Sequence, residues 1–382
     1  MPDIGDRLTA WRRHLHAHPA LSLHEGPTAA FVAEKLREIG VTEFETGVGG
    51  HGIVATIRKG GGNRSVGLRG DMDALPIHET DADLPWRSTV PGVMHACGHD
   101  GHTTALLGAA IRLMADDDWS GTVRLVFQPA EEGGGGARSM IRDGLFTRFP
   151  MDRIFGWHNW PGLAAGTVAV HPGPVMAAGN RFTLTIDGHA GHAALPHLTR
   201  DPIVAAGHAI VAAQSIVARV LDPLDAGVVS LTMIHGGEAQ NQIAAQVLLK
   251  GSMRFLRPAT GDAIIAGLER IALGLSATFG VTARVEVTPG VPVTVNHAAE
   301  ADVAAEAAGR VTALRRDLAP AMTGEDFSHF LHEVPGAFVW IGNGEAAGGR
   351  DLHNPNYDFN DGILPTASAW LAEVAKRSLA GA

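Results

Sequence analysis

Cys97 and His99 stand two apart in the segment HACGHDGH (95–102), just ahead of a run with helical character. A thiolate and an imidazole are good donors to zinc, manganese or related divalent ions. Two other readings share the motif: a buried free cysteine beside helix-capping polar residues, or a Cys/His nucleophile pair. The second would need a third group to orient its base. Farther along, QPAEEGGGG (128–136) ends an apolar run with Glu131 and Glu132. Adjacent residues at a strand end point in different directions. One carboxylate can therefore bind a metal while the other takes a proton from water, the division of labour in metal-assisted hydrolysis. Read in isolation, the same pair is a solvated acidic turn. The glycine run lacks the Lys-Ser/Thr of a phosphate-binding loop, which excludes nucleotide binding.

His158 in GWHNWPG (156–162) and His353 in RDLHNPNYDFNDG (350–362) add two imidazoles at the ends of apolar runs or in polar loops. Taken singly, each reads first as a structural histidine. In DMDALP (71–76), Asp71 and Asp73 flank Met72, and Asp73 can accept the far ring proton of a ligand histidine and so fix its tautomer. Its plain alternative is a turn-forming aspartate.

These clusters need a scaffold that brings distant segments together. Apolar runs of strand length occur at 65–70, 122–129, 153–160 and 337–344, and each leads into a polar or glycine-rich cluster. Helical stretches lie between them, HTTALLGAAIRLMAD and GARSMIRDGLF among them. Strands alternating with helices predict an α/β fold, a mostly parallel sheet with helices on both faces. In such sheets ligands collect beyond the carboxyl ends of the strands, where the polar clusters fall. The middle of the chain differs: alternating or strand-like runs at 180–189, 227–237, 246–256 and 282–289 enclose helices at 201–221 and about 260–278. The order β-α-β-β-α-β predicts an inserted α+β, ferredoxin-like domain over 178–290, interrupting a catalytic domain formed by 1–177 and 291–382.

The 382 residues exceed one core and fit two domains. With 30 Lys plus Arg against 40 Asp plus Glu and no long basic run, neither nucleic acid nor a membrane surface is an expected partner. Cys97 is the single cysteine, so no intramolecular disulfide can form, and a reducing cytoplasm is the expected compartment. The N-terminal segment has no apolar stretch of the signal-peptide kind, and no run is expected to be of membrane-spanning length.

Together the segments from RRHLHAHPALSLHE (12–25) to LHNPNYDFND (352–361) resemble a metallopeptidase family. It includes zinc aminoacylases, glutamate carboxypeptidases and succinyl-diaminopimelate desuccinylases. They are most similar to its amidohydrolase branch, that of hippurate hydrolases and plant indoleacetyl-amino-acid hydrolases. The resemblance implies two divalent metal ions (zinc, manganese, cobalt or nickel) bridged by Cys97, with His99, Glu132, His158 and His353 completing the ligand set. It implies Glu131 as general base and then acid, Asp73 as the orienting carboxylate, and Asp71 outside the ligand set. His192 in GHAGHAALPH (188–197) matches a family histidine that reaches the partner's active site in dimers, although His189 and His197 crowd the same segment. Asn241 and Arg254 match positions that bind the substrate's free carboxylate, for which a guanidinium fork is well suited. Where the family continues Asn-Val-Ile-Pro, this chain has Asn241, Gln242, Ile243 and Ala244. MTGEDF (322–327) resembles the segment before the last ligand, with Glu325 near the site.

The resemblance further implies that the inserted domain is a lid and a dimerisation surface. The expected activity is hydrolysis of small-molecule N-acyl-L-amino acids by a homodimer or higher homo-oligomer. The alternatives are a metallo-dipeptidase or carboxypeptidase using the same residues, and a catalytically silent ligand-binding relative, which would have no need of Glu131.

Overall fold

In the computed structural model, which describes residues 3–81, 83–346 and 350–381, the chain divides into two compact units. The larger comprises 1–175, 295–319 and 326–382, and the smaller 176–294 and 320–325. The short segment 320–325, which the sequence reading gave to the catalytic domain, goes with the smaller unit because Ala177 N–H donates to the carbonyls of Ala321 and Thr323.

The larger unit is built on an eight-stranded sheet. Its first five strands in the chain are β1 (Phe44–Val48), β2 (Gly52–Lys59), β3 (Ser65–Asp71), β4 (Gly121–Gln128) and β5 (Arg153–Pro161). The spatial order is β1, β2, β4, β3 and β5, followed by Gly336–Gly344, Val168–Ala169 and Leu314–Arg315. The central four strands, from β4 to Gly336–Gly344, are parallel. β1 and β2 join antiparallel at one edge, and Val168–Ala169 joins Gly336–Gly344 antiparallel near the other. β3, β4 and β5 are buried along almost their whole length, as strands covered on both faces must be. That double burial is why they read as continuous apolar runs.

Helices α1 (Ile4–Ala17), α2 (Gly26–Ile39) and α3 (His99–Ala115) pack with Ala298–Val311 and Leu364–Ala380 into one core with the sheet. The helix expected from His102 begins earlier, at His99, so that this residue lies in its first turn. The stretch 136–146 is two short helices rather than one, broken where Gly144 takes a left-handed φ of 86°.

The smaller unit carries a four-stranded antiparallel sheet in the order Gly227–Gly236, Gln246–Phe255, Ala178–Asp187, Thr282–Val291. Helices Pro202–Ser215 and Pro258–Phe279 cross it, giving the ferredoxin-like order. One expectation fails here. Pro202–Val220, an α-helix finished by a wider turn, is long and apolar enough by length and composition to span a membrane. It passes that test because both its faces are apolar. Its small residues Ala205, Ala206, Ala209 and Ala213 are buried, while Ile203, Val204 and Val211 are exposed.

Gly101, in the first turn of α3, is a point where the packing tolerates no side chain. A Cβ there would lie 2.2 Å from the ring of Phe359, which is itself buried. Gly101→Ala is expected to destabilise the larger unit by about 1–3 kcal/mol through overpacking. Thermal melting of the two proteins side by side checks this; an unchanged midpoint would mean that the loop bearing Phe359 yields freely.

Candidate metal centre

The candidate ligands gather where the parallel strands end. β3 finishes at Asp71 and is followed by Asp73; β4 runs into Glu131 and Glu132; His158 lies near the end of β5; Cys97 and His99 flank the start of α3. Gly98 between them has a φ of 87° and a Cβ there would meet Asn159 Nδ2 at 2.3 Å, so only glycine lets the chain pass. His353 comes from the loop after Gly336–Gly344, with its own N–H donating to the Ala96 carbonyl at 2.8 Å.

The donor atoms converge. Within each of three groups they lie no more than 4.8 Å from one another: Cys97, His99 and His158; Cys97, Glu132 and His353; His99, Glu131 and Glu132. Cys97 Sγ is 3.3 Å from His158 Nε2, and His353 Nε2 is 3.2 Å from Glu132 Oε1. Two buried polar atoms inside the cluster, His99 Nε2 and Glu132 Oε1, make no well-formed hydrogen bond; their nearest opposite charges are Asp71 Oδ2 at 3.5 Å and His353 Nε2 at 3.2 Å. They are 3.9 Å apart. An unsatisfied buried polar atom costs about 1–3 kcal/mol. A cation would serve both, and thiolate, imidazole and carboxylate are suitable donors for a divalent transition metal.

The surrounding hydrogen bonds leave the right atoms available. His158 donates from Nδ1 to the carbonyl of Asn159 at 2.7 Å, which turns the Nε2 lone pair inward. His99 Nδ1 is 3.2 Å from Asp73 Oδ1, so its Nε2 is likewise turned into the cluster. Asp73 Oδ2 accepts from Ser22 Oγ at 2.6 Å and from the N–H of Glu132 at 3.0 Å. One carboxylate thus orients one candidate ligand through its ring and another through its backbone.

His102 belongs to the same cluster by distance, yet both its nitrogens are engaged. Nδ1 lies 2.6 Å from Asp71 Oδ1, and Nε2 accepts the N–H of Asn159 at 3.0 Å. Asp71 also pairs with Arg69 at 2.7 Å. These two residues are a buttress behind the donors.

The charges fit a cation. Burial, then Glu132, Glu131 and Asp71, push the Cys97 thiol well above its usual range, so the bare cluster resists forming a thiolate. Burial alone would lower His99, but Asp71, Asp73 and Glu132 overrule it and hold the imidazole up at about 10. Burial, with His102 and His99 nearby, keeps His158 neutral and well below its ordinary value. Glu132 likewise raises His353, 3.2 Å away. Excess negative charge thus draws protons onto two candidate ligands, and a divalent ion is their natural replacement.

One candidate ligand and one neighbour of a candidate residue sit in unusual backbone. His353 has a φ of 62°, and Ala130, next to Glu131, has one of 53°. Left-handed conformations at non-glycine residues cost roughly 1–2 kcal/mol. Both are held by neighbours: the Ala130 N–H donates to Glu25 Oε1 at 2.8 Å.

His192 and Asn241 meet within the smaller unit, on a two-stranded ribbon in which His192 pairs with Gln242 and the Ala193 N–H donates to the Asn241 carbonyl at 2.9 Å. His192 is exposed, and its Nδ1 accepts the N–H of Ala194. His189 instead bridges to Arg200, and His197 lies in the short turn Pro196–Leu198; all three histidines of the segment are exposed. Arg254 stands on the strand Gln246–Phe255, with its guanidinium beside Gly179.

Several supporting residues escaped the sequence reading. Asn159 donates to the Cys97 carbonyl at 2.7 Å and accepts from Tyr357 at 2.6 Å. Asp326 accepts from Gln128 at 2.7 Å and from the Ala137 N–H at 3.0 Å, and its own N–H reaches Glu131 Oε1 at 3.4 Å. Their signal was adjacency: Asn159 follows a candidate ligand, and Asp326 follows the residue singled out in MTGEDF.

Comparison with known proteins identifies the family. The model of the peptidase family M20/M25/M40 matches residues 67–377. The hippurate hydrolase of Campylobacter jejuni is 38% identical over 99% of this chain and 98% of its own length. An N-acetyl-L-cysteine deacetylase of Bacillus subtilis is 39% identical over 98% of this chain and 89% of its own. A Bacillus subtilis crystal structure, described as a dinuclear metal binding peptidase from the M20 family, superposes with a TM-score of 0.88 at 34% identity, covering 99% of both chains.

Replacing Asp73 by Asn removes the carboxylate that sets the His99 tautomer. Metal retention is expected to weaken about 10–100-fold. Competition with a chromogenic chelator measures it; retention equal to the parent's would take Asp73 out of the centre.

Proposed function

The chain belongs to the peptidase family M20/M25/M40, and from that membership and the geometry above we propose that it hydrolyses N-acyl-L-amino acids of the hippurate or N-acetyl type. The products are a carboxylic acid and a free amino acid. The observation that carries this reading is the convergence of Cys97, His99, Glu132, His158 and His353 beside Glu131, a carboxylate that a mere binding protein would not need.

Those five residues would hold two divalent ions. Zinc is the first choice for a thiolate–imidazole set, and its carboxylate also suits manganese, cobalt or nickel. When bound, the pair acidifies water and polarises the scissile carbonyl. Glu131 accepts the proton as water oxygen bonds to the carbonyl carbon. It then delivers that proton to the amide nitrogen as the C–N bond breaks. Asp73 keeps His99 in the tautomer whose Nε2 faces the centre. In the smaller unit, His192 supplies a donor to the oxyanion, and Asn241 and Arg254 receive the substrate carboxylate. A lid is the role proposed for this unit.

The same unit is the proposed dimer surface. Gly227–Gly236 is an edge strand with Val228, Met233 and Ile234 exposed, and the exposed Ile203, Val204 and Val211 lie on its neighbouring helix. An apolar, unpaired edge of this kind invites pairing with a second copy. Cytoplasmic residence completes the reading, in keeping with a single buried cysteine left free.

Two outcomes are expected. Metal-loaded protein should release amino acid from a panel of N-acetyl- and N-benzoyl-amino acids. Chelator should abolish release reversibly, and Glu131→Gln should lower kcat by at least about 100-fold with metal still bound. Faster release from simple dipeptides would make it a dipeptidase instead, and no turnover of any substrate by the metal-loaded parent would sink the hydrolase reading. Second, Ile234→Lys should convert a dimer to monomers in sedimentation analysis; a parent already monomeric at working concentration removes the interface.

A further inference from the structure

Two of the candidate ligands arrive on long loops rather than close to the end of a sheet strand or on a helix. Cys97 lies near the end of the irregular stretch 83–98, and His353 lies in the stretch 350–360. Loops place side chains less exactly than strands do, so something must hold these two in register. The hydrogen bonds trace that hold to one face of α1, where Arg12 and His16 are one helical turn apart and fully buried.

His16 Nδ1 is 2.8 Å from Asp100 Oδ2, in the first turn of α3 beside His99. Its Nε2 is 3.2 Å from Glu79 Oε1, and the other Glu79 oxygen accepts the Ser88 N–H at 2.7 Å. The ring therefore links the start of α3 to the loop that leads to Cys97. Arg12 reaches the other loop, through Nη1 to Asp358 at 3.1 Å and Nε to Asp361 at 2.5 Å, with Asp100 at 3.7 Å. The loops are also joined to each other: Thr80 N–H donates to the Pro355 carbonyl, and Trp86 Nε1 donates to Asp358. Although burial favours a neutral ring, Asp100 and Glu79 hold His16 protonated, up at about 9. The hub is thus two cations answering four carboxylates, none of them among the candidate ligands or the proton-transfer residue.

We propose that Arg12 and His16 are positioning residues for the metal centre, a single clamp that fixes the loop of Cys97, the first turn of α3 with His99, and the loop of His353 relative to one another. This rests on the metal reading above. Helix α1 has no donor in the centre; its contribution is to keep three donor-bearing segments at fixed spacing.

The test is a cobalt titration of the full-length apo protein, read by the thiolate-to-cobalt charge-transfer absorption of Cys97 and by chelator competition. The parent, His16→Gln, Arg12→Lys and Leu8→Ala are compared, each checked for fold by circular dichroism. Leu8 is a buried α1 residue of the apolar core, so its truncation lowers stability without touching the clamp. The clamp predicts about 10–100-fold weaker cobalt binding in His16→Gln, with a smaller loss in Arg12→Lys, which keeps the charge but not the fork. Leu8→Ala should melt earlier yet bind as the parent does. Binding within twofold of the parent in His16→Gln, or an equal loss in Leu8→Ala, overturns the proposal. Should His16→Gln fail to fold, Glu79→Gln breaks the same link from the loop side and decides it. A parent without the thiolate band would instead remove Cys97 as a ligand, and the metal reading with it.

Discussion

Buried negative charge has to be answered within a few ångströms, and that constraint organises the larger unit. Asp71, Asp73, Asp100 and Asp326 are almost completely inaccessible, and Cys97 nearly so. An uncompensated ion in such surroundings carries a penalty of several kcal/mol. The protein answers part of the charge itself. Arg69 pairs with Asp71 and approaches Asp326; Arg12 and His16 answer Asp100. The remainder, gathered around His99 and Glu132, has no arginine or lysine among its described partners and is answered only by the imidazoles of His99 and His353. The excess carboxylate charge and the convergent thiol, imidazole and carboxylate donors fall at the same place, which is why the centre reads as a metal site rather than as another ion-pair network.

How much of this was legible in the sequence follows from what each element must do. Strands β3 to β5 announce themselves as unbroken apolar runs because both faces are buried. The smaller unit's strand Gln246–Phe255 alternates because one face is more open. The ligand-bearing segments were legible because glycine, histidine, cysteine and paired carboxylates crowd together where apolar runs stop. The hydrogen-bonded supports around them were not. Asn159, Tyr357 and Ser22 join the centre through hydrogen bonds made across long stretches of chain; adjacency to His158 points to Asn159, but nothing in the local sequence marks any of the three partners. The apolar character of Pro202–Val220 was underrated for a related reason. Alanine fills its buried face, so the larger apolar residues stand outside, inverting the usual amphipathic pattern.

Strain points the same way as charge. Ala130 and His353 adopt left-handed backbone that a β-carbon disfavours, and Gly98 adopts it where only glycine can pass Asn159. Each is next to, or is itself, a residue whose side chain enters the cluster. Such conformations persist only where the surroundings over-determine them. Here Glu25 holds the Ala130 N–H, the Ala96 carbonyl holds the His353 N–H, and Asn159 holds the Cys97 carbonyl. The bonds that permit the strain are therefore the bonds that aim the donors. A centre organised this way is preformed in the polypeptide: its geometry is set by folding, and an arriving ion has to satisfy donors already in place rather than assemble them.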